Sequence, residues 1–180
     1  MHTFTKSEQF VLGPVYLDWP NLFEAVPYKG GNRPPAPDAR KNFHVNVIMN
    51  PEQTQLVNQK CIEVANQGFT GVESQDRDFL WPFMMVEKKK NAIYGQMFPG
   101  HYMMNCKAGE EYPPVIKGPD KQDLKPEMRS LIYSGVKAHV VINLMSYQEG
   151  RNTGIRCGLA KVITWGLGDR IPVGLSLIHI

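Results

Sequence analysis

The chain is poor in cysteine, has no long apolar run, and carries almost no acid across its last strand-forming stretch. Its three cysteines, Cys61, Cys106 and Cys157, are odd in number, far apart in sequence and outside any CxxC or matched histidine spacing. That argues against a disulfide framework and against a zinc site, and leaves free, mostly buried thiols in a reducing cytosol. No apolar stretch approaches the roughly 20 residues that cross a bilayer, and Met1 to Phe10 is polar, so neither membrane insertion nor secretion is expected. GxSxG, P-loop, HExxH and a glycine-rich dinucleotide turn after a strand are all missing. His2 and His179 are terminal, while His44, His101 and His139 fall on strand-like segments or their ends. Carboxylates stand singly or in solvated pairs such as Asp76/Asp78 and Glu110/Glu111. The expectation is a protein without catalytic residues, metal or cofactor.

What is present is enough for a core: 180 residues, 42% hydrophobic and 10% aromatic, which one domain accommodates. The net charge of +3 hides an asymmetry, because residues 1–86 hold 7 basic and 9 acidic side chains while residues 87–180 hold 13 and 8. From Arg129 to Gly168 there are five cations (Arg129, Lys137, Arg151, Arg156, Lys161) and a single acid, Glu149. Positive charge gathered on one structural unit attracts polyanions more strongly than the whole-chain sum implies.

Along the chain, Gly13 to Asp18 reads as a short strand from which Trp19-Pro20 turns away, and the proline- and glycine-rich stretch Pro27–Asp38 reads as a loop. Phe43, Val45 and Val47 alternate with Asn42, His44 and Asn46, the period of a half-buried strand. Asn50-Pro51 is a cap followed by a first-turn proline; Leu56, Val57, Cys61 and Val64 recur at helical spacing, and Gly68 is the expected stop. His101 to Lys107 is a candidate strand with Tyr102, Met104 and Cys106 on one side and Met103, Asn105 and Lys107 on the other. Pro113–Lys117 is a short edge piece. The strongest pattern is Val136, Ala138, Val140, Ile142 and Leu144, five apolar positions at period two. The opposite wall carries Lys137, His139, Val141, Asn143, Met145 and Tyr147, and a turn-rich loop leads to a second strand over Gly154–Thr164. Several strands, one helix, long loops and no βαβ alternation predict a mainly β fold, a small antiparallel barrel or sandwich.

A single nucleic-acid strand is held by cations along its phosphates and by aromatic faces under its bases. The predicted hairpin supplies Lys137, His139 and Tyr147 on its outward wall, Arg151 in its loop, and Arg156 and Lys161 on the returning strand. Five positions separate Arg156 from Lys161, so an ideal strand points them to opposite faces; either a bulge intervenes at Gly158 or only one faces the groove. The preceding strand adds Lys107 and Tyr102, and the loops add Trp81, Tyr94 and the Lys88–Lys90 run, centred on Lys89.

Leu131-Ile-Tyr-Ser-Gly-Val-Lys137, the alternating strand after it and Asn152-Thr-Gly-Ile-Arg-Cys-Gly-Leu-Ala-Lys-Val162 together resemble the single-stranded-DNA-binding proteins of tailed phages, which adopt an OB-fold. The likeness runs over about residues 13–170 and is sharpest over 131–162. It implies an OB-fold-like domain over residues 1–170 that coats unwound DNA during phage replication and recombination, in the cytoplasm of the bacterial host. It also implies DNA contacts around Lys107 and at Lys137, Tyr147 and Arg156. Two departures stand out. Asn50 occupies the place of a lysine common after the second strand, and residues 171–180 carry no acidic tail of the kind that recruits polymerase and helicase. The apolar close Leu175–Ile180 reads as translated adapter sequence at the end of a gene fragment, or else as a final strand or homodimer contact. The competing readings are a virion structural or assembly β-barrel and a small nucleotide-modifying enzyme.

Overall fold

An alternating strand buries one face only if other strands complete the layer, and in the computed structural model they do so by closing on themselves. The structure describes residues 2–27, 39–71 and 73–172. Among these, β1 (Phe10–Pro27), β2 (Lys41–Met49), β3 (Phe83–Met85), β4 (Tyr102–Gly109), β5 (Val115–Lys117), β6 (Lys137–Glu149) and β7 (Asn152–Thr164) form one sheet. β1 pairs antiparallel with β2 and β6, β2 with β4, and β6 with β7. A short parallel pairing of β4 with β7 closes the ring. Numbered by chain order within the barrel, the strands go round as first, second, third, fifth, fourth, the Greek-key arrangement of an OB-fold. The expected antiparallel pairing gives way to parallel pairing at this seam and at β5, which lies along β7.

Val136, Ala138, Val140, Ile142 and Leu144 are all fully buried, so the period-two face is the inner wall. The Trp19-Pro20 turn is absorbed into β1, which runs on to Pro27 through register shifts between Asp18 and Asn21 and between Asn21 and Val26. Beyond Pro27 itself, the predicted loop to Asp38 lies outside the described residues, apart from which the apolar close Leu175–Ile180 does too.

The helix α1 (Pro51–Gly68) starts and stops where its residues dictate. Asn50 Oδ1 accepts from the Gln53 amide at 2.8 Å and Gln53 Oε1 accepts from the Asn50 amide at 2.9 Å, a reciprocal cap. Val57, Cys61 and Val64 enter the barrel core, whereas Leu56, one step off that stripe, is 42% exposed. Cys106 and Cys157, distant in sequence, are register partners across the seam with their sulfurs 3.3 Å apart. Burial raises the Cys157 thiol well above its ordinary value, so it stays protonated and packs as a hydrophobe.

A second, smaller core lies on the outside of the barrel. Residues following β3 form a 3-10 turn at Val86–Lys88 and the five-residue helix α2 (Ile93–Met97), an element the sequence does not announce. They lay Val86, Tyr94 and Phe98 over Ile48 and Met103. The cover is fastened at Asp18, fully buried, whose Oδ2 accepts from the Tyr94 hydroxyl at 2.9 Å. Burial pushes this carboxyl above its ordinary 3.8, against the opposing pull of the Tyr94 hydrogen bond and the Lys89 charge. The folded protein therefore binds a proton here at pH values where the unfolded chain has released it, and stability falls as pH rises through that window. Asp18→Asn keeps an acceptor for Tyr94 without the buried charge. Thermal melts of that variant should show a gain over wild type at pH 7 that shrinks as pH approaches 4; a gain constant across the series would contradict the assignment.

Candidate nucleic-acid interface

The outer wall of β6 carries Lys137, His139, Val141, Asn143, Met145 and Tyr147, every one of them partly exposed. On β7, Lys161 pairs with Val141 and Leu159 with Ile142, leaving Ala160 unopposed. This one-residue bulge places Arg156, the partner of Met145, and Lys161 on the same outer face. The bulge falls two residues beyond Gly158, whose own surroundings are close-packed. A Cβ there would collide with Asn143 Oδ1 and lie 2.9 Å from Met145 Cε. The space a side chain would take there is filled by Asn143 and Met145, and Gly158 joins Asn143 on β6 to Lys107 on β4, its partners on either side.

Beyond the barrel the hairpin turns through two residues, Gly150 with φ +60° and exposed Arg151. Just below the turn, the Arg156 guanidinium lies 5.5 Å from the centre of the Tyr147 ring and is held by Glu149 Oε1 at 3.2 Å. Burial first, and Glu149 second, raise the Tyr147 phenol, so it stays neutral and offers a ring face rather than a charge. On the other side of the seam, Lys107 opposes His44, which contacts Asn21 at 3.1 Å, and the next row is an Asn105–Asn46 hydrogen bond of 2.7 Å. Burial and the Lys107 charge lower the His44 pKa, leaving it neutral at pH 7. The positive charge of this polar row is thus that of Lys107.

The far end of β6, ten residues and roughly 34 Å from the tip at strand rise, is a second basic and aromatic pole. Lys137 places its ammonium 5.9 Å from the Tyr16 ring and 6.0 Å from the Trp165 ring. His139 lies nearly parallel to Trp165, ring centres 5.6 Å apart, and accepts from the indole N–H at 3.0 Å. Beside them a groove of about 370 Å³ is lined by Tyr16, Phe98, Lys137 and Asp169.

Six sequence-predicted residues, Lys107, Lys137, His139, Tyr147, Arg151 and Arg156, therefore share the outer surface of the barrel and its hairpin, in two groups. Three stand apart. Tyr102 lies on the inner side of β4 with Met104 and Cys106 and meets Phe83 edge-on at 6.0 Å, because alternation from Lys107 sends it inward. Lys89 fastens the outer cover, its ammonium 5.6 Å from the Tyr94 ring. Lys161 shares the outer face but stands at its β5 edge, away from both groups, where it and the stronger neighbour Lys117 depress the Asp123 carboxyl. The row of His44, Asn46 and Asn105 has no sequence signal of a site beyond the polar alternation of β2, which places two of its members outward. Among the described residues no cluster of three or more potential metal ligands occurs, and no helix is long and apolar enough to cross a membrane.

A closed Greek-key barrel with cations and rings along its outer wall defines the class of OB-fold proteins that hold single strands. Within it, the chain belongs to the family described as Enterobacter phage Enc34, ssDNA-binding protein, which matches residues 8–175. Among solved structures it is similar to the single-stranded DNA-binding protein from bacteriophage Enc34 in complex with ssDNA. That likeness has a TM-score of 0.69 and 15% identity, over 92% of this chain and 89% of that one. It is also similar to gp2.5, a single-stranded DNA binding protein encoded by bacteriophage T7, with a TM-score of 0.63 and 12% identity, over 91% of this chain and 94% of that one. At these identities the structural likeness speaks for the fold. No curated protein sequence matches the chain.

Proposed function

We propose that this protein coats unwound single-stranded DNA during phage replication and recombination, in the cytoplasm of the infected bacterium, by binding alone and without strong sequence preference. The observation that carries the reading is the shared outer face on which Lys107, beside Gly158 at the seam, stands with the stacked Arg156–Tyr147 pair. Cations stand at both sides for phosphates, and a neutral ring stands at one end for a base. Lys107, Arg151 and Arg156 take the phosphates, Tyr147 takes a base, and Lys137 with His139 extends the track to the far pole. Residues up to 170 act as one binding unit. Family membership favours this reading over a virion packing unit.

Fluorescence titration with oligo-dT, a matched duplex and oligo-U at low salt tests it. Oligo-dT should bind well ahead of the duplex, whose bases have no free face to offer. Tyr147→Ala should weaken oligo-dT binding by roughly 5- to 150-fold, the loss of one stacked base. Equal affinity for duplex and single strand would sink the reading.

A further inference from the structure

Among the described residues two non-glycine residues have a positive φ, Lys121 and Trp19, and of these Trp19 is the aromatic one. Its φ is +46°, a left-handed conformation that is an outlier for a bulky residue, and its side chain is 53% exposed. Neighbouring Leu17 and Leu22 are buried, so the strand had an inward face available. Instead, several contacts hold the strained geometry. The Trp19 amide donates to Ser134 Oγ at 3.0 Å, Asp18 before it is fixed by Tyr94, and Asn21 after it is fixed to His44. The register shift between Asp18 and Asn21 is the bulge that lifts the indole out. Strain that the surrounding structure over-determines, at an aromatic side chain left more than half exposed, points to a functional position. The location says which function: the outer cover ends at Tyr94 and Asp18, and immediately beyond it comes the polar row of His44, Asn46, Asn105 and Lys107, whose last two members are exposed.

We propose that Trp19 is a base-stacking platform at the β1 rim of that row, receiving an unpaired nucleobase from a strand whose phosphates lie on Lys107. This rests on the single-strand reading above and adds a contact to it. An exposed indole face suits any base, in keeping with weak sequence preference.

The test uses the full chain with Trp19→Gly and Trp19→Phe, beside Lys107→Glu as a reference. Glycine adopts φ +46° without strain, so Trp19→Gly should melt at or above the wild-type temperature. It should nevertheless bind oligo-dT roughly 5- to 150-fold more weakly, while Trp19→Phe keeps most of the affinity. If Trp19→Gly binds as wild type while Lys107→Glu is weakened, the stacking role is wrong and the single-strand reading stands. A clear fall in melting temperature for Trp19→Gly would make the indole a structural residue and overturn the proposal. Wild-type protein that does not bind oligo-dT would overturn the functional reading, and this contact with it.

Discussion

Raising salt from 50 to 200 mM should weaken oligo-dT binding by about 50-fold, because each single-strand phosphate that a cation neutralises adds about −0.7 to the slope of log affinity against log salt. That figure takes four cations as engaged, Lys107, Arg151 and Arg156 near the tip and Lys137 at the far pole, for a slope of about −2.8. Replacing Lys107 by Glu should flatten the slope by about 0.7, as one released counterion is lost. Replacing Tyr147 by Ala should lower affinity at every salt concentration and leave the slope unchanged, because a stacked ring releases no counterion. The two variants thus separate what the phosphates contribute from what the bases contribute. Titrations at four or five salt concentrations read both quantities; a flat dependence for wild type would mean that the charged wall is not where the strand lies. Arg156 is the cation whose share is hardest to isolate, since Glu149 at 3.2 Å already neutralises part of its field.

The parts of this surface that could be read from residues alone are those set by short-range rules. Period two from Val136 to Leu144 fixed which side chains of β6 face out, since successive residues of a strand alternate whatever it pairs with. Asn50-Pro51 and Gly68 likewise marked the helix through its own backbone needs. The unread parts depend on partners far away in the chain. Whether Arg156 and Lys161 share a face turns on a bulge at Ala160, which only the register of β7 against β6 fixes. Cys106 and Cys157 look unrelated until β4 and β7 meet at the seam. From residues alone Trp19 reads as the end of a strand, because a proline follows it; the contacts of Ser134, Asp18–Tyr94 and Asn21–His44 make the kinked backbone tenable. The cover over Ile48 and Met103 has no periodic signal, since its 3-10 turn and five-residue helix are too short to display one.

Leu144→Ala should cost about 2–5 kcal/mol of stability and leave the affinity of the folded protein for oligo-dT unchanged. Leu144 is fully buried and opposes Cys157 on β7, which itself opposes Cys106 on β4. Its side chain therefore lies beside the seam, the shortest pairing in the ring, where two strands meet over only two residue pairs. A cavity at this point removes contacts from the wall least able to close over it. Around it the backbone is already tied down: Ser7 donates its amide to the Leu144 carbonyl at 2.8 Å and its hydroxyl accepts from the Leu144 amide at 3.0 Å. With relaxation limited in this way, the cost should fall in the upper part of the range. For a chain of this size the full range corresponds to a melting temperature lower by roughly 4–20 °C. Affinity is spared because the adjacent outward residues, Asn143 and Met145, keep their partners Gly158 and Arg156, and alternation keeps the removed atoms on the other side of the strand. Melting curves and a titration well below the transition measure the two halves separately. A shift under about 2 °C, or a weakened titration at unchanged stability, would mean that the inner and outer walls of β6 are not as independent as the period-two pattern requires.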